Sequence, residues 1–60
     1  MNYKRYPYSI TFKDGETYCL AMFWALGNLT RGLWTADYTK PNALMFTREE
    51  DAVIVALRFS

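Results

Sequence analysis

Alternating apolar and polar residues mark the first regular element of the chain. The side chains that share one face of an extended backbone there are those of Tyr8, Ile10 and Phe12. This period of two residues predicts a half-buried strand over Tyr8–Phe12. Pro7 precedes the strand and favours an extended backbone at the residue before it. Residues 1–7 are therefore expected to form an extended N-terminal arm.

A run of nine residues from Tyr18 to Leu26 carries no charged side chain. Leu, Ala and Met dominate the run and favour helix, and Asp14 in front of it is a suitable N-cap. Gly27 follows the run, and helices often end at glycine. We therefore predict a helix over Gly15–Leu26. The competing interpretation is a type I′ hairpin at Asp14 and Gly15, in which Gly15–Leu26 is the second strand.

The predicted first helix is apolar on every side, and a helix of this kind is normally covered on every side. Helical spacing predicts that Leu20, Phe23 and Gly27 face the sheet. The side chains left on the other side are those of Cys19, Met22 and Leu26. We expect them to meet either a second helix or another chain.

Two more strands and a helix are predicted in the second half of the chain. Leu33–Tyr38 and Ala43–Phe46 have strand character, and a turn over Thr39–Asn42 joins them. Thr47 followed by Glu50 is a capping box that predicts the start of the last helix. On that helix the expected apolar stripe consists of Ala52, Val53, Ala56 and Leu57, with Ile54 and Val55 outside it.

The order strand, helix, strand, strand, helix predicts an α+β protein formed as a single small domain over residues 1–60. It matches a truncated ferredoxin-like, or split βαβ, unit with a three-stranded antiparallel sheet and two helices on one face. The most apolar strand, Ala43–Phe46, is expected in the centre of the sheet. The unit lacks the usual fourth strand, which predicts that Tyr8–Phe12 is an unprotected edge.

Composition and charge exclude several classes of function. The 60 residues contain one cysteine and no histidine, so we expect no zinc site, no histidine-dependent nucleophile and no internal disulfide. The apolar run is shorter than the roughly 20 residues that a membrane-spanning helix needs. We predict a reduced, cytoplasmic protein that is not an enzyme and has no cofactor, metal or membrane partner.

The aromatic residues give two candidate binding sites. The first is a protein-binding surface, for which the candidate residues are Tyr8, Phe23, Trp24, Trp34 and Tyr38. The second is a single-stranded nucleic-acid site in the N-terminal arm, for which they are Tyr3, Lys4, Arg5 and Tyr6. Seven basic and six acidic residues give a net charge of +1, which disfavours the nucleic-acid interpretation.

The closing segment contains Phe46, then Glu50-Asp51-Ala52, then Leu57-Arg58-Phe59. This pattern resembles the C-terminal strand and helix of small uncharacterised proteins of tailed bacteriophages. The resemblance covers about a quarter of the chain and implies a non-enzymatic protein that binds and modulates a host protein in the bacterial cytoplasm. The alternatives are the nucleic-acid binder and an obligate homodimer that pairs through the open sheet edge or through the helices.

Overall fold

A computed structural model describes residues 5–59 of the chain. Its elements, in chain order, are β1 (Tyr8–Thr11), α1 (Gly15–Asn28), β2 (Trp34–Ala36), β3 (Ala43–Phe46) and α2 (Glu49–Arg58). This order confirms the predicted α+β class. Because α1 is a helix, the alternative in which Gly15–Leu26 formed the second strand of a hairpin is wrong. β2 is shorter than the predicted strand Leu33–Tyr38, and β1 ends one residue before Phe12.

The three strands form one sheet in the order β1-β3-β2, with β3 antiparallel to both neighbours. Ile10 lies opposite Leu44 in one pairing, and Ala36 lies opposite Leu44 in the other. The central place of the apolar β3 confirms the prediction and fits a small ferredoxin-like arrangement. Within residues 5–59, β1 and β2 are the two edges of the sheet.

Both helices pack on the same face of the sheet. The core that they share with the strands consists of Phe12, Ala21, Leu44, Phe46, Ala52 and Val55. Residues opposite one another in a sheet share a face, so Tyr8, Ile10 and Trp34 lie on the helix side with Leu44 and Phe46. No helix covers the other face, and the strand residues on it are Ser9, Thr11, Thr35, Ala43 and Met45, of which Ala43 is buried.

Helix α1 begins as predicted and ends later. The side chain of Asp14 accepts a hydrogen bond of 2.8 Å from the backbone N–H of Thr17, which satisfies one of the free donors at the helix start. This bond lowers the pKa of Asp14. At the other end, the helix continues through Gly27 to Asn28, whose side-chain amide donates to the carbonyl of Trp24 at 2.8 Å.

Helix α2 starts without the predicted capping box. Its N-cap is Arg48, and the hydroxyl of Thr47 instead donates to the backbone carbonyl of Arg5 at 2.9 Å. Arg48 binds the side chain of buried Asp51 through two contacts, Nε to Oδ2 at 3.1 Å and Nη2 to Oδ1 at 3.2 Å. The prediction of Thr47 and Glu50 as a capping box was therefore wrong, because the hydroxyl of Thr47 is engaged by the N-terminal segment.

The connection between β2 and β3 depends on Asn42. Its φ is +54°, in the left-handed region, as expected for the predicted turn position, which only glycine and asparagine adopt readily. The carbonyl of Asn42 also accepts a bond of 2.8 Å from the backbone N–H of Phe12. This turn therefore fixes both the hairpin and the start of the β1–β3 ladder.

Candidate protein-binding surface

The outward side of the helix layer is apolar. The exposed large apolar side chains there, which we call the outer helical face, are Leu20, Phe23 and Leu26 of α1 and Val53, Ile54 and Leu57 of α2. Phe23 is 71 % exposed and Leu57 75 %. Because both helices lie on one face of the sheet, their outward sides face in the same general direction. Contiguous exposed apolar surface is unusual on a small protein and marks interaction sites.

The inner side of α1 is built from alanines. Ala21 and Ala25, one turn apart, are fully buried against the core. Their small side chains leave the larger residues of the helix at its flanks and on its outward side. The prediction that Leu20 and Phe23 face the sheet was therefore wrong. The prediction that Met22 lies on the outer side was also wrong, because Met22 is partly buried against the core.

Helix α2 also differs from its predicted orientation. Its inner side consists of Asp51, Ala52 and Val55. Val53 and Leu57, which were predicted to share a stripe with Ala52 and Ala56, point outward together with Ile54. The prediction misplaced the stripe by one residue, because it did not anticipate a buried acid, Asp51, on the inner side of the helix.

Trp24 lies in the contact between the two helices. Its ring meets that of Phe59 edge-on, with 6.2 Å between centroids. The guanidinium of Arg58 lies 5.2 Å from the centroid of the Trp24 ring, which is within the range of a cation–π interaction. Trp24 is half-buried and packs against the core. Of the predicted anchors it is therefore the one that holds α1 and α2 together.

The remaining predicted protein-binding residues lie apart from one another. Tyr8 is on the edge strand β1 and is 38 % exposed. Trp34 is on β2 at the other edge and packs partly against the core. Tyr38, just after β2, is the most exposed of the large hydrophobic side chains in residues 5–59, at 92 %. Tyr38 and Trp34 border a groove of about 330 Å³ between β2 and α1, so the structure brings those two together and places Phe23 and Tyr8 elsewhere.

The candidate nucleic-acid residues are only partly within the described chain, since Tyr3 and Lys4 lie outside residues 5–59. Arg5 is exposed. The hydroxyl of Tyr6 donates to the carbonyl of Gly32 at 3.1 Å, which ties the arm to the loop before β2. Trp34 lies on the helix side of the sheet, so the strand residues on the other face, Ser9, Thr11, Thr35, Ala43 and Met45, offer no aromatic ring for a base to stack on.

The two buried carboxylates are both engaged in structural hydrogen bonds. Asp37 accepts from the hydroxyl of Thr39 at 2.6 Å and from its backbone N–H at 3.0 Å. These bonds lower the pKa of Asp37. Asp51 holds Arg48 at the start of α2, and this pairing raises the pKa of Arg48. Among the described residues, no group of three or more His, Cys, Asp or Glu side chains is arranged to hold a metal ion.

Sequence reasoning missed Leu20 and the three outward residues of α2 as candidate binding residues, whereas Leu26 was expected on the outer side of α1 and is exposed there. The signal that identifies the inner side of α1 is the pair Ala21 and Ala25, because two alanines one turn apart allow a helix to approach a sheet closely. On α2 the corresponding signal is the spacing of Ala52, Val55 and Phe59, which recur at three and four residues.

Comparisons of the chain with protein families, with curated proteins and with solved structures find no match. No helix within residues 5–59 has the length and apolar character needed to cross a membrane.

Proposed function

We propose that this chain is a non-enzymatic protein-binding module and that the outer helical face is its contact surface. The observation that carries the proposal is the exposure of six large apolar side chains on the two helices. Their exposed fractions add up to more than three fully exposed side chains. At about 1.5–3 kcal/mol for each large apolar side chain removed from water, covering them would contribute roughly 5–10 kcal/mol before the costs of association.

The charges at the ends of the two helices support a polar rim around this apolar centre. Glu16 is in the first turn of α1, and Glu49 and Glu50 are in the first turn of α2. Arg58 is in the last turn of α2. An apolar centre with a polar, charged rim is the usual anatomy of a protein–protein interface. Phe23 is the expected anchor, because large exposed aromatic side chains dominate binding energy.

The absence of an enzymatic role is part of the proposal. The buried Asp37 and Asp51 are occupied by Thr39 and Arg48, and the acids at the start of α2 complement the positive end of the helix dipole. The resemblance of the closing segment to small bacteriophage proteins extends the proposal to the partner, which would be a host protein in the bacterial cytoplasm.

The test is capture from a bacterial lysate by the immobilised chain and by matched variants. We expect a protein that is retained by the wild type and by Tyr38→Ala, and lost with Phe23→Ala combined with Leu26→Ala. Tyr38→Ala is the control because it removes an even more exposed ring outside the outer helical face. Retention by the double variant would contradict the proposal. Loss of binding with Tyr38→Ala alone would also contradict it and would place the site in the groove beside β2.

A further inference from the structure

The edge strand β1 presents unused backbone groups to the outside of the sheet. In an antiparallel ladder, residues alternate between those that bond to the neighbouring strand and those whose N–H and C=O point away from it. The bond of 2.8 Å from the N–H of Phe12 to the carbonyl of Asn42 fixes this alternation for the β1–β3 pair. The backbone N–H and C=O groups of Ser9 and Thr11 therefore point outward from the sheet.

Beside this edge lies an open groove of about 320 Å³, lined by Ile10, Thr11, Phe12, Lys13, Ala56 and Phe59. It runs between β1 and the second half of α2. Tyr8 lies on the same face of β1 as Phe12, four residues earlier, and its ring is partly exposed. One strand thus carries an aromatic ring at its beginning and an apolar recess at its end.

We propose that β1 pairs with β1 of a second copy of this chain, antiparallel and about a two-fold axis at Ile10. In this register Ser9 of each chain faces Thr11 of the other, so that four backbone hydrogen bonds join the two edges. Tyr8 of each chain faces Phe12 of the other on the helix side. Each aromatic ring then enters the groove of the partner, as the self-complementarity of a two-fold interface requires.

The positions of the outward backbone groups on β1 determine the register of the pairing between the two chains. Only residues whose backbone groups point outward can bond across the new interface, which confines the pairing to Ser9 and Thr11 and their neighbours of the same parity. The next such residue before Ser9 is Pro7, which has no N–H to donate. Centring the pair on Ile10 is the arrangement in which the outward groups of Ser9 and Thr11 bond to one another and not to residues outside β1.

Shape favours a second copy as the occupant, because β1 carries both the partly exposed ring of Tyr8 and, at its other end, the groove that would receive the same ring of a second chain. The two-fold axis lies beside α2, which packs over β1 and β3, so α2 of each chain lies antiparallel to α2 of the other, with Ala56 on the facing side. Tyr8 is 38 % exposed in the single chain, so burying its ring removes less than about 100 Å², and together with Ile10 and the facing side of α2 it forms a small interface of the weak, reversible class.

Sedimentation equilibrium between about 1 µM and 1 mM tests the proposal, and the average mass should rise from that of one chain towards that of two across this range. Tyr8→Ala should weaken the dimer by at least about tenfold, whereas Tyr38→Ala should leave it unchanged. Thr11→Pro removes an outward N–H and should also weaken it. The matched control is Ala36→Pro, which removes an outward N–H from the opposite edge, β2.

Amide hydrogen exchange of the wild type provides a readout that needs no variant. The amides of Ser9 and Thr11 should become protected as the concentration rises, while those of Trp34 and Ala36 should not change. A monomer throughout the concentration range would overturn the proposal. So would a dimer that is insensitive to Tyr8→Ala and lost with Phe23→Ala, which would place the second copy on the outer helical face.

Discussion

Replacing a phenylalanine by alanine should change the free energy of unfolding strongly on the inner side of the helix layer and hardly at all on its outer side. Phe46 is fully buried, and Phe23 is 71 % exposed. Phe46→Ala should lower the free energy of unfolding by about 3–5 kcal/mol, because it removes buried apolar surface and leaves a cavity. A domain of this length has a total of roughly 3–9 kcal/mol, so this variant should be largely unfolded.

Phe23→Ala should be close to neutral. Less than a third of the side chain is covered, which at about 1.5–3 kcal/mol for complete burial corresponds to a loss of less than about 1 kcal/mol. Alanine is also the better helix former by several tenths of a kcal/mol. The net change should therefore stay within about 0.5 kcal/mol, so Phe23→Ala can be used in binding experiments on a folded protein.

Urea titration followed by far-UV circular dichroism, at about 1 µM protein to keep the chain monomeric, measures both effects. If Phe46→Ala does not fold, two smaller substitutions allow the same comparison of a buried and an exposed position. Val55→Ala, at a fully buried position, should cost about 2 kcal/mol, and Val53→Ala, half exposed on the same helix, less than about 1 kcal/mol. A loss above about 2 kcal/mol for Phe23→Ala would refute the reasoning, because Phe23 would then belong to the core.

Two further predictions concern the turn and the response to acid. Asn42→Ala should lower the free energy of unfolding by about 1 kcal/mol, because φ is +54° there and alanine adopts the left-handed region poorly. In the same urea titration Asn42→Gly should be nearly neutral. Equal losses for the two variants would show that the side chain of Asn42 matters and not its backbone conformation. The pKa values of Asp14 and Asp37 are lowered in the folded protein by their bonds to Thr17 and Thr39. The resulting stabilisation is present above the ordinary aspartate pKa, near about 4, and is lost as the pH falls through the lowered values. The urea concentration at the unfolding midpoint should therefore decrease as the pH is lowered below about 4, and it should decrease less steeply in Asp37→Asn. A midpoint that stays constant down to about pH 2 would contradict this assignment.

The order and type of the elements followed from local signals in the sequence. The alternation around Ile10, the N-cap at Asp14 and the apolar segment Ala43–Phe46 each predicted an element that the structure contains. The central position of β3 followed from its lack of polar residues, because a strand with two neighbours is the better covered one. These signals act over a few residues, so they can be read without knowledge of the tertiary contacts.

The orientation of the helices did not follow from the same signals. Helix α1 is apolar on all sides, so its pattern contains no polar face to mark the outside, and only the size of Ala21 and Ala25 distinguishes the side that meets the sheet. The start of α2 was misassigned because the hydroxyl of Thr47 is engaged by Arg5, 42 residues away. Contacts between distant parts of the chain decided both features, and these features determine where the candidate binding surface lies.

The two proposed surfaces are compatible with each other because of the geometry of the sheet edge. A two-fold axis at Ile10 is perpendicular to the sheet, so the pairing of two β1 strands extends the sheet and leaves both helix pairs on the same side of it. Phe23 and Leu26 lie on α1, away from that axis, and stay accessible in both chains. A dimer formed through β1 would therefore present two copies of the outer helical face in one direction. A partner with two matching sites would then be held more tightly than by a single chain, since its second contact would form at a high effective concentration.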